Sequence, residues 1–291
     1  MQKVGIISDS NCDLPEEVIK ENDIEIVPGR IIFGDEEVRR HYVDITYEEF
    51  YHRLVHDKET PSTSVPSPKE YQKAYENALK KYDEVIILCT SAKLSSMVNI
   101  AQMVAKQFFE NKVTVIDTEK ITLPMGIIVL EAVKKAAKGA SKEEIVDYIK
   151  HLIPETHAFG GIPTLTYLQK GGRIGKAASL MGNLLQVKPI ISIENGELSP
   201  LGKVRGMDNV YKLLVDFTKK MVENQILEFL IVGHTANLEV ATKLAQEIQT
   251  FPKAPKNLQI IELGPSVGTH LGPGGLLISW IGKFDKELLN L

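Results

Sequence analysis

Two cysteines in 291 residues, Cys12 and Cys89, give no CxxC spacing and no disulfide framework. They read as a loop thiol and a strand-core thiol in a reducing compartment. Long apolar runs are also missing. The longest, LLISWIG at 276–282, falls far short of the ~20 apolar residues of a membrane span. The apolar run at 4–7 is too short for the core of a secretory signal. There is no surplus of positive charge: 34 Lys and Arg stand against 38 Asp and Glu, for a net charge of −4. Nucleic acid is thereby disfavoured as the main ligand, since its binders usually carry excess Lys and Arg. No internal repeat or low-complexity stretch is visible. A cytoplasmic protein with no stable membrane insertion is expected. What is present is ordinary for a globular chain: 43% hydrophobic and 25% charged residues, with 21 Gly and 14 Pro. The length predicts two domains at roughly 150 residues each and a core large enough to need no metal or disulfide staple.

Short apolar runs alternate with helical patterns through the first half. KVGIIS (3–8), IEIVP (24–28), RIIF (30–33), EVIILC (84–89) and VTVID (113–117) read as strands. Between them, Thr46-Tyr-Glu-Glu49, Ser67-Pro68-Lys-Glu70 and Ser141-Lys-Glu-Glu144 fit capping boxes, in which the hydroxyl and the Glu three residues on satisfy free helix N–H groups. The helix after Thr46 is expected to hold Phe50, Leu54 and Val55 on one side. The helix over 95–109 places Met97, Ile100, Ala101, Val104, Ala105 and Phe108 at three-to-four spacing. Strands separated by such helices imply βαβ units and a largely parallel sheet. After about residue 155 glycine-containing loops appear, and KPIISIENGELSPLGKVRG reads as a hairpin turning at Asn195–Gly196. The expected fold is therefore α/β: an N-terminal parallel α/β domain over 1–155 and a C-terminal mixed-sheet α+β domain over 156–291.

Several groups could carry chemistry. Thr63 and Ser64 precede the capped helix at Ser67, and Ser91, Ser95 and Ser96 follow the strand at 84–89. Both segments lie where open α/β sheets place ligands, and helix N-termini favour anions. The same hydroxyls also serve simply as helix caps. Arg205, at the end of a strand, can pair an acid bidentately or form a surface ion pair. Gly272-Pro-Gly-Gly275 invites a phosphate-loop reading, but it lacks the GxxxxGK[ST] pattern and precedes a strand rather than a helix. Gly264-Pro-Ser266-Val-Gly268 matches the G-x-S-x-G elbow of serine hydrolases. His270 is the only later His and Asp285 follows it, the reverse of that fold's order. His52 and His56 have the spacing of a zinc helix but lack its Glu, and read as a solvated face.

Taken together, the segments SDSNCDLP (8–15), TSVPSP (63–68), TSAKLSS (90–96), LQKGGRI (168–174), GNLLQVKPII (182–191), NGELSPLGKVRG (195–206) and HLGPGG (270–275) resemble the DegV family of fatty-acid-binding proteins. That family includes the FakB subunits of bacterial fatty acid kinases. The resemblance implies two α/β domains with a long-chain acyl group buried between them. Its carboxyl group would meet Thr63 and Ser95, with Arg205 and His270 near it, and a separate kinase would phosphorylate that carboxyl. It implies no ATP site, cofactor or metal in this chain. The family usually reads LSGT where this chain has Leu94-Ser-Ser-Met97, and Val65 replaces a common Gln, so acyl-chain preference is the property these changes touch.

The implied ligand makes physical sense. Burying about 14 methylenes of a 16-carbon chain at roughly 0.8 kcal/mol each is favourable by about 11 kcal/mol before ordering costs. A buried carboxylate needs donors, and two hydroxyls, a guanidinium and an imidazole supply them. The expected role is a non-catalytic carrier that binds a free fatty acid and presents its head. The rival readings are a serine acyl hydrolase using Ser266 and a phosphate-binding enzyme using the glycine loops. Lys170, Arg173 and Lys176 crowd one glycine-rich loop and suit a basic rim for the kinase partner.

Overall fold

The first strand, β1 (Val4–Asp9), is buried along its whole length, as a parallel strand covered on both faces must be. A 3₁₀ turn at Ser10–Cys12 leads to α1 (Glu16–Glu21), β2 (Glu25–Val27), β3 (Arg30–Phe33), β4 (Glu37–Arg40), α2 (Tyr47–His56), β5 (Ser62–Ser64) and α3 (Pro68–Leu79). There follow β6 (Glu84–Cys89), α4 (Met97–Phe108), β7 (Val113–Asp117), α5 (Thr122–Ala137) and α6 (Lys142–Glu155). The second half runs β8 (Thr156–Gly161), α7 (Thr166–Lys170), β9 (Val187–Glu194), β10 (Glu197–Arg205), α8 (Met207–Asn224), β11 (Phe229–His234), α9 (Leu238–Gln249), β12 (Asn257–Glu262), α10 (Pro265–Leu271) and β13 (Leu276–Ile281). This computed structural model describes residues 3–181, 186–224 and 227–291. Residues 182–185, the start of the GNLLQVKPII segment, lie outside them.

The strands form three sheets. The order β2-β1-β6-β7 is wholly parallel. Alternation along its strands sends Ile7, Val85 and Ile87 to α3 and α4, and Ile6, Ile86 and Leu88 to α5 and α6. The order β10-β9-β8-β13-β11-β12 is antiparallel except for its last pair. Among the described residues, every strand of this sheet starts at Thr156 or later, and every strand of the other two ends by Asp117. One face of the mixed sheet packs Ile190, Val232, Ile278 and Trp280 against α8 and α9, around a cluster of Phe159, Phe217, Trp280 and Phe284 rings. The other face presents Ile191, Ile193, Leu198 and Leu277 towards the first half of the chain. A third sheet, β4-β3-β5, is antiparallel and carries α2 through Ile31, Phe33, Phe50 and Leu54.

Several local expectations meet the backbone directly. Ser67 and Ser141 make full capping boxes, and Thr46 accepts from the Glu49 N–H at 3.1 Å. Asn195 and Gly196 have φ of 49° and 81°, the two positive values a type I′ hairpin turn requires. Two expected core positions are corrected. Val55 and Phe108 are 55% and 54% exposed, because each sits at the margin of its helix's apolar stripe and turns outward. His52 and His56 stack on the exposed face of α2 with ring centroids 4.3 Å apart.

Candidate functional site

The open face of the mixed sheet does not close tightly on the first half of the chain. Between them lies a cavity of about 330 Å³, within the size range of small-molecule sites. Its apolar wall comes from Ile191 and Ile193 on β9, Leu198 on β10 and Leu277 on β13, with Ile121 just before α5 and Leu168 on α7. Its polar lining comes from Thr63, Ser64, Ser95, Ser96, Arg173, Ser266, His270 and Asn11.

The polar groups are gathered by a chain of short contacts. Thr63 is held in β5 opposite Ile31 of β3, and its Oγ1 lies 3.0 Å from Nε2 of His270 in the last turn of α10. The His270 ring packs on Gly171, where a Cβ would stand 2.0 Å from Nδ1; only glycine permits this approach. Arg173 donates through Nη1 to the Gly171 carbonyl at 2.7 Å and through Nε to the Leu94 carbonyl at 3.2 Å. It thus ties the loop after α7 to the turn that carries Ser95. Ser95 Oγ accepts only a long 3.4 Å contact from the Met97 N–H, and Ser96 makes no side-chain cap bond to α4. These hydroxyls remain available to a ligand. Burial, with the nearby Arg173 charge adding to it, pushes the His270 pKa down to about 4, and its buried Nδ1 has no partner among the described residues. A neutral imidazole, a guanidinium and several hydroxyls thus stand beside an apolar chamber, an arrangement suited to one anionic head on an apolar body.

Two expected residues are not brought to the cavity. Arg205 ends β10, the outermost strand of the mixed sheet, and is exposed rather than facing the chamber. Arg173 is the guanidinium that lines it. Ser91 is buried and donates to the Gly196 carbonyl at 2.6 Å, where it braces the hairpin turn. Gly272–Gly275 leads into β13, so no helix follows to hold a phosphate.

Other residues of the site escaped the sequence reading. Nothing in the DSNCD stretch (9–13) singles out its two acids, yet both are buried and positional. Asp9 accepts from the Thr90 N–H at 2.7 Å, Thr90 Oγ1 at 2.8 Å and the Asn11 N–H at 3.0 Å. Asp13 accepts from Thr122 Oγ1 at 2.7 Å and the Gly264 N–H at 3.1 Å, so it fixes the starts of both α5 and α10. Burial raises these carboxyls to about 6 and about 7. Their signal was a run of polar residues directly after a wholly apolar parallel strand. Ser266 meets an unforeseen partner. Its Oγ is 3.4 Å from Nδ1 of His41, whose Nε2 lies 3.1 Å from the Tyr47 hydroxyl.

Comparison with known proteins bears on this geometry. Residues 3–283 match the profile of the DegV family. The chain belongs to the DegV family. A DegV domain-containing protein of Caldanaerobacter subterraneus is 34% identical over 284 residues, spanning 94% of this chain and 96% of that one. Among solved structures, a DegV protein of Thermus thermophilus described as fatty acid binding superposes with a TM-score of 0.88 at 27% identity, over 96% of this chain and 99% of that one. A stearic acid-binding protein of Eubacterium ventriosum superposes at 0.83 with 27% identity, over 97% and 99% of the two chains. The architecture described above, a parallel sheet and a mixed sheet with a small third sheet, is thus the DegV fold. Among the described residues, no helix is long and apolar enough to cross a membrane.

Proposed function

We propose that this chain binds one long-chain free fatty acid in the cavity and presents its carboxyl group to a separate fatty acid kinase for acyl phosphate formation. In this reading it is a non-catalytic carrier in the cytoplasm. The acyl chain lies along Ile191, Ile193 and Leu198, between an N-terminal domain ending at residue 155 and a C-terminal domain beginning at 156. Thr63, Ser95 and His270 take the carboxyl group, and Arg173 replaces Arg205 as the nearby cation. The observation that carries the reading is the Thr63–His270 contact at 3.0 Å, set among several hydroxyls beside the aliphatic wall of the same chamber. Fatty acid binding by the superposed Thermus and Eubacterium proteins supports it. The basic loop of Lys170, Arg173 and Lys176 suits a partner that approaches the head, because such charges steer encounter.

Native mass spectrometry of the protein purified from a bacterial host tests the reading. A near-equimolar saturated or monounsaturated acid is expected, and a bound nucleotide or sugar phosphate without lipid would overturn it.

The approach of Ser266 to His41 favours one rival, a serine acyl hydrolase. It ranks second on two grounds. Burial drives the His41 pKa down to about 3, which makes it a poor base at neutral pH. Its other nitrogen meets a tyrosine hydroxyl rather than a carboxylate, so the imidazolium formed on proton transfer would lack a counter-charge.

A further inference from the structure

Away from the acyl cavity, Lys120 is out of keeping with its surroundings. It follows β7 and is only 6% exposed, yet its Nζ has no hydrogen-bond or ion-pair partner among the described residues. Lysine is almost never this buried unless paired, because withdrawing an ammonium from water costs several kcal/mol. Its backbone is held on both sides: the N–H donates to Thr118 Oγ1 at 3.3 Å and the carbonyl accepts from the Ser91 N–H at 2.9 Å.

Lys120 lines an open cleft of about 790 Å³, bounded by β7, α6 and the end of β9. Lys150, His157, Phe284 and Lys286 line it too. Asp117, Glu119 and Glu194 line the cleft as well, and the charges of Glu119 and Glu194 favour the Lys120 ammonium, but none of the three reaches ion-pair distance of it. Asp117 spends its carboxylate on the Ala92 and Glu119 N–H groups. Glu194 is held by Lys286 at 2.6 Å and by Ser192 at 2.9 Å, and Glu119 is exposed. Lys150 is engaged only at 3.6 Å, by Asp147. This cleft is a different space from the acyl cavity, although Ile193 borders both.

We infer that this cleft is a second ligand site, which takes a small carboxylate or phosphate anion on the Lys120 ammonium, with Lys150 closing over it. The anion supplies the partner that the protein withholds, and the His157 and Phe284 rings offer a flat wall to an organic body.

Calorimetric titration of the full-length protein with inorganic phosphate, and separately with citrate, tests this. Saturable one-to-one binding of at least one probe is expected. Lys120→Met should weaken it about tenfold or more, the worth of one charge-assisted hydrogen bond. Lys73→Met, which removes the same charge from the exposed face of α3, should leave it unchanged. Lys120→Met should also melt no lower than the parent without anion and keep its lipid content. Lys120→Gln serves if Lys120→Met does not fold. The inference is overturned if neither probe binds saturably, or if the Lys120 and Lys73 variants bind alike.

Discussion

Replacing Thr63 with Val removes one oxygen and keeps the shape of the side chain. Among the described residues, Thr63 Oγ1 is the only hydrogen-bond partner of the His270 ring, 3.0 Å from Nε2, and Nδ1 has none. Thr63→Val therefore leaves both ring nitrogens unsatisfied. A fully buried group in that position would cost about 1–3 kcal/mol. His270 as a whole is only partly buried, so water can reach Nε2 and the loss of folding stability should fall near the lower end. Binding should suffer more. The carboxylate loses a charge-assisted bond worth about 1.5–3 kcal/mol in a site closed by its own acyl chain, or roughly 10- to 150-fold in affinity. Displacement of a fluorescent fatty acid from delipidated protein measures the affinity, and a thermal melt measures the stability. An unchanged affinity would refute the assignment and leave Thr63 as a structural partner of His270 alone.

Four further outcomes are expected. Ser95→Ala should weaken fatty acid binding in the same displacement assay, whereas Ser91→Ala, which loses the bonds to the Gly196 carbonyl and from the Lys93 N–H, should lower the melting temperature and leave affinity intact; the reverse pattern would contradict the placement of both serines. A fluorophosphonate probe should leave Ser266 unlabelled, and Ser266→Ala should still bind fatty acid, while stoichiometric labelling would favour the hydrolase. Arg173→Glu should slow ATP-dependent acyl phosphate formation with the kinase supplied in trans and reduce its salt dependence, and Arg205→Ala should leave lipid content unchanged; wild-type turnover in Arg173→Glu would remove the loop from docking. Finally, the lipid-free protein should lose stability as pH falls from about 6.5 towards 4. His157, His234 and His270 are held at about 4 and His41 at about 3 when folded, so the unfolded chain takes up their protons first. Asp9, Asp13 and Glu262 are raised and act in the opposite sense, but the four imidazoles outweigh them; a melting temperature that rises towards pH 5 would reverse that balance.

The architecture was legible wherever local pattern and tertiary demand agreed. The buried strands at β1 and β6, the three capped helices and the Asn195–Gly196 hairpin follow from apolar runs, caps and a turn that needs positive φ. β4 and β5 did not announce themselves. Their sequences, EVRR and STS, show no apolar alternation, and pairing with β3 makes them strands. Thr63, Ser95 and His270 lie 207 residues apart at the extremes, and only the resemblance to a family grouped them. Arg205 shows the limit of that route: the end of a strand can be named from sequence, but not that β10 is the sheet's outer edge. The pairing of His41 with Ser266 crosses 225 residues and runs against the chain order of hydrolases, so nothing in the local pattern pointed to it.

A crystal structure of the protein purified from a bacterial host tests the central claim most directly. The account predicts continuous density for an acyl chain along Ile191, Ile193 and Leu198, ending in a carboxyl group within hydrogen-bond distance of Thr63 and Ser95. A chamber filled by water or by a nucleotide, or an acyl chain whose carboxyl group points away from His270, would contradict it.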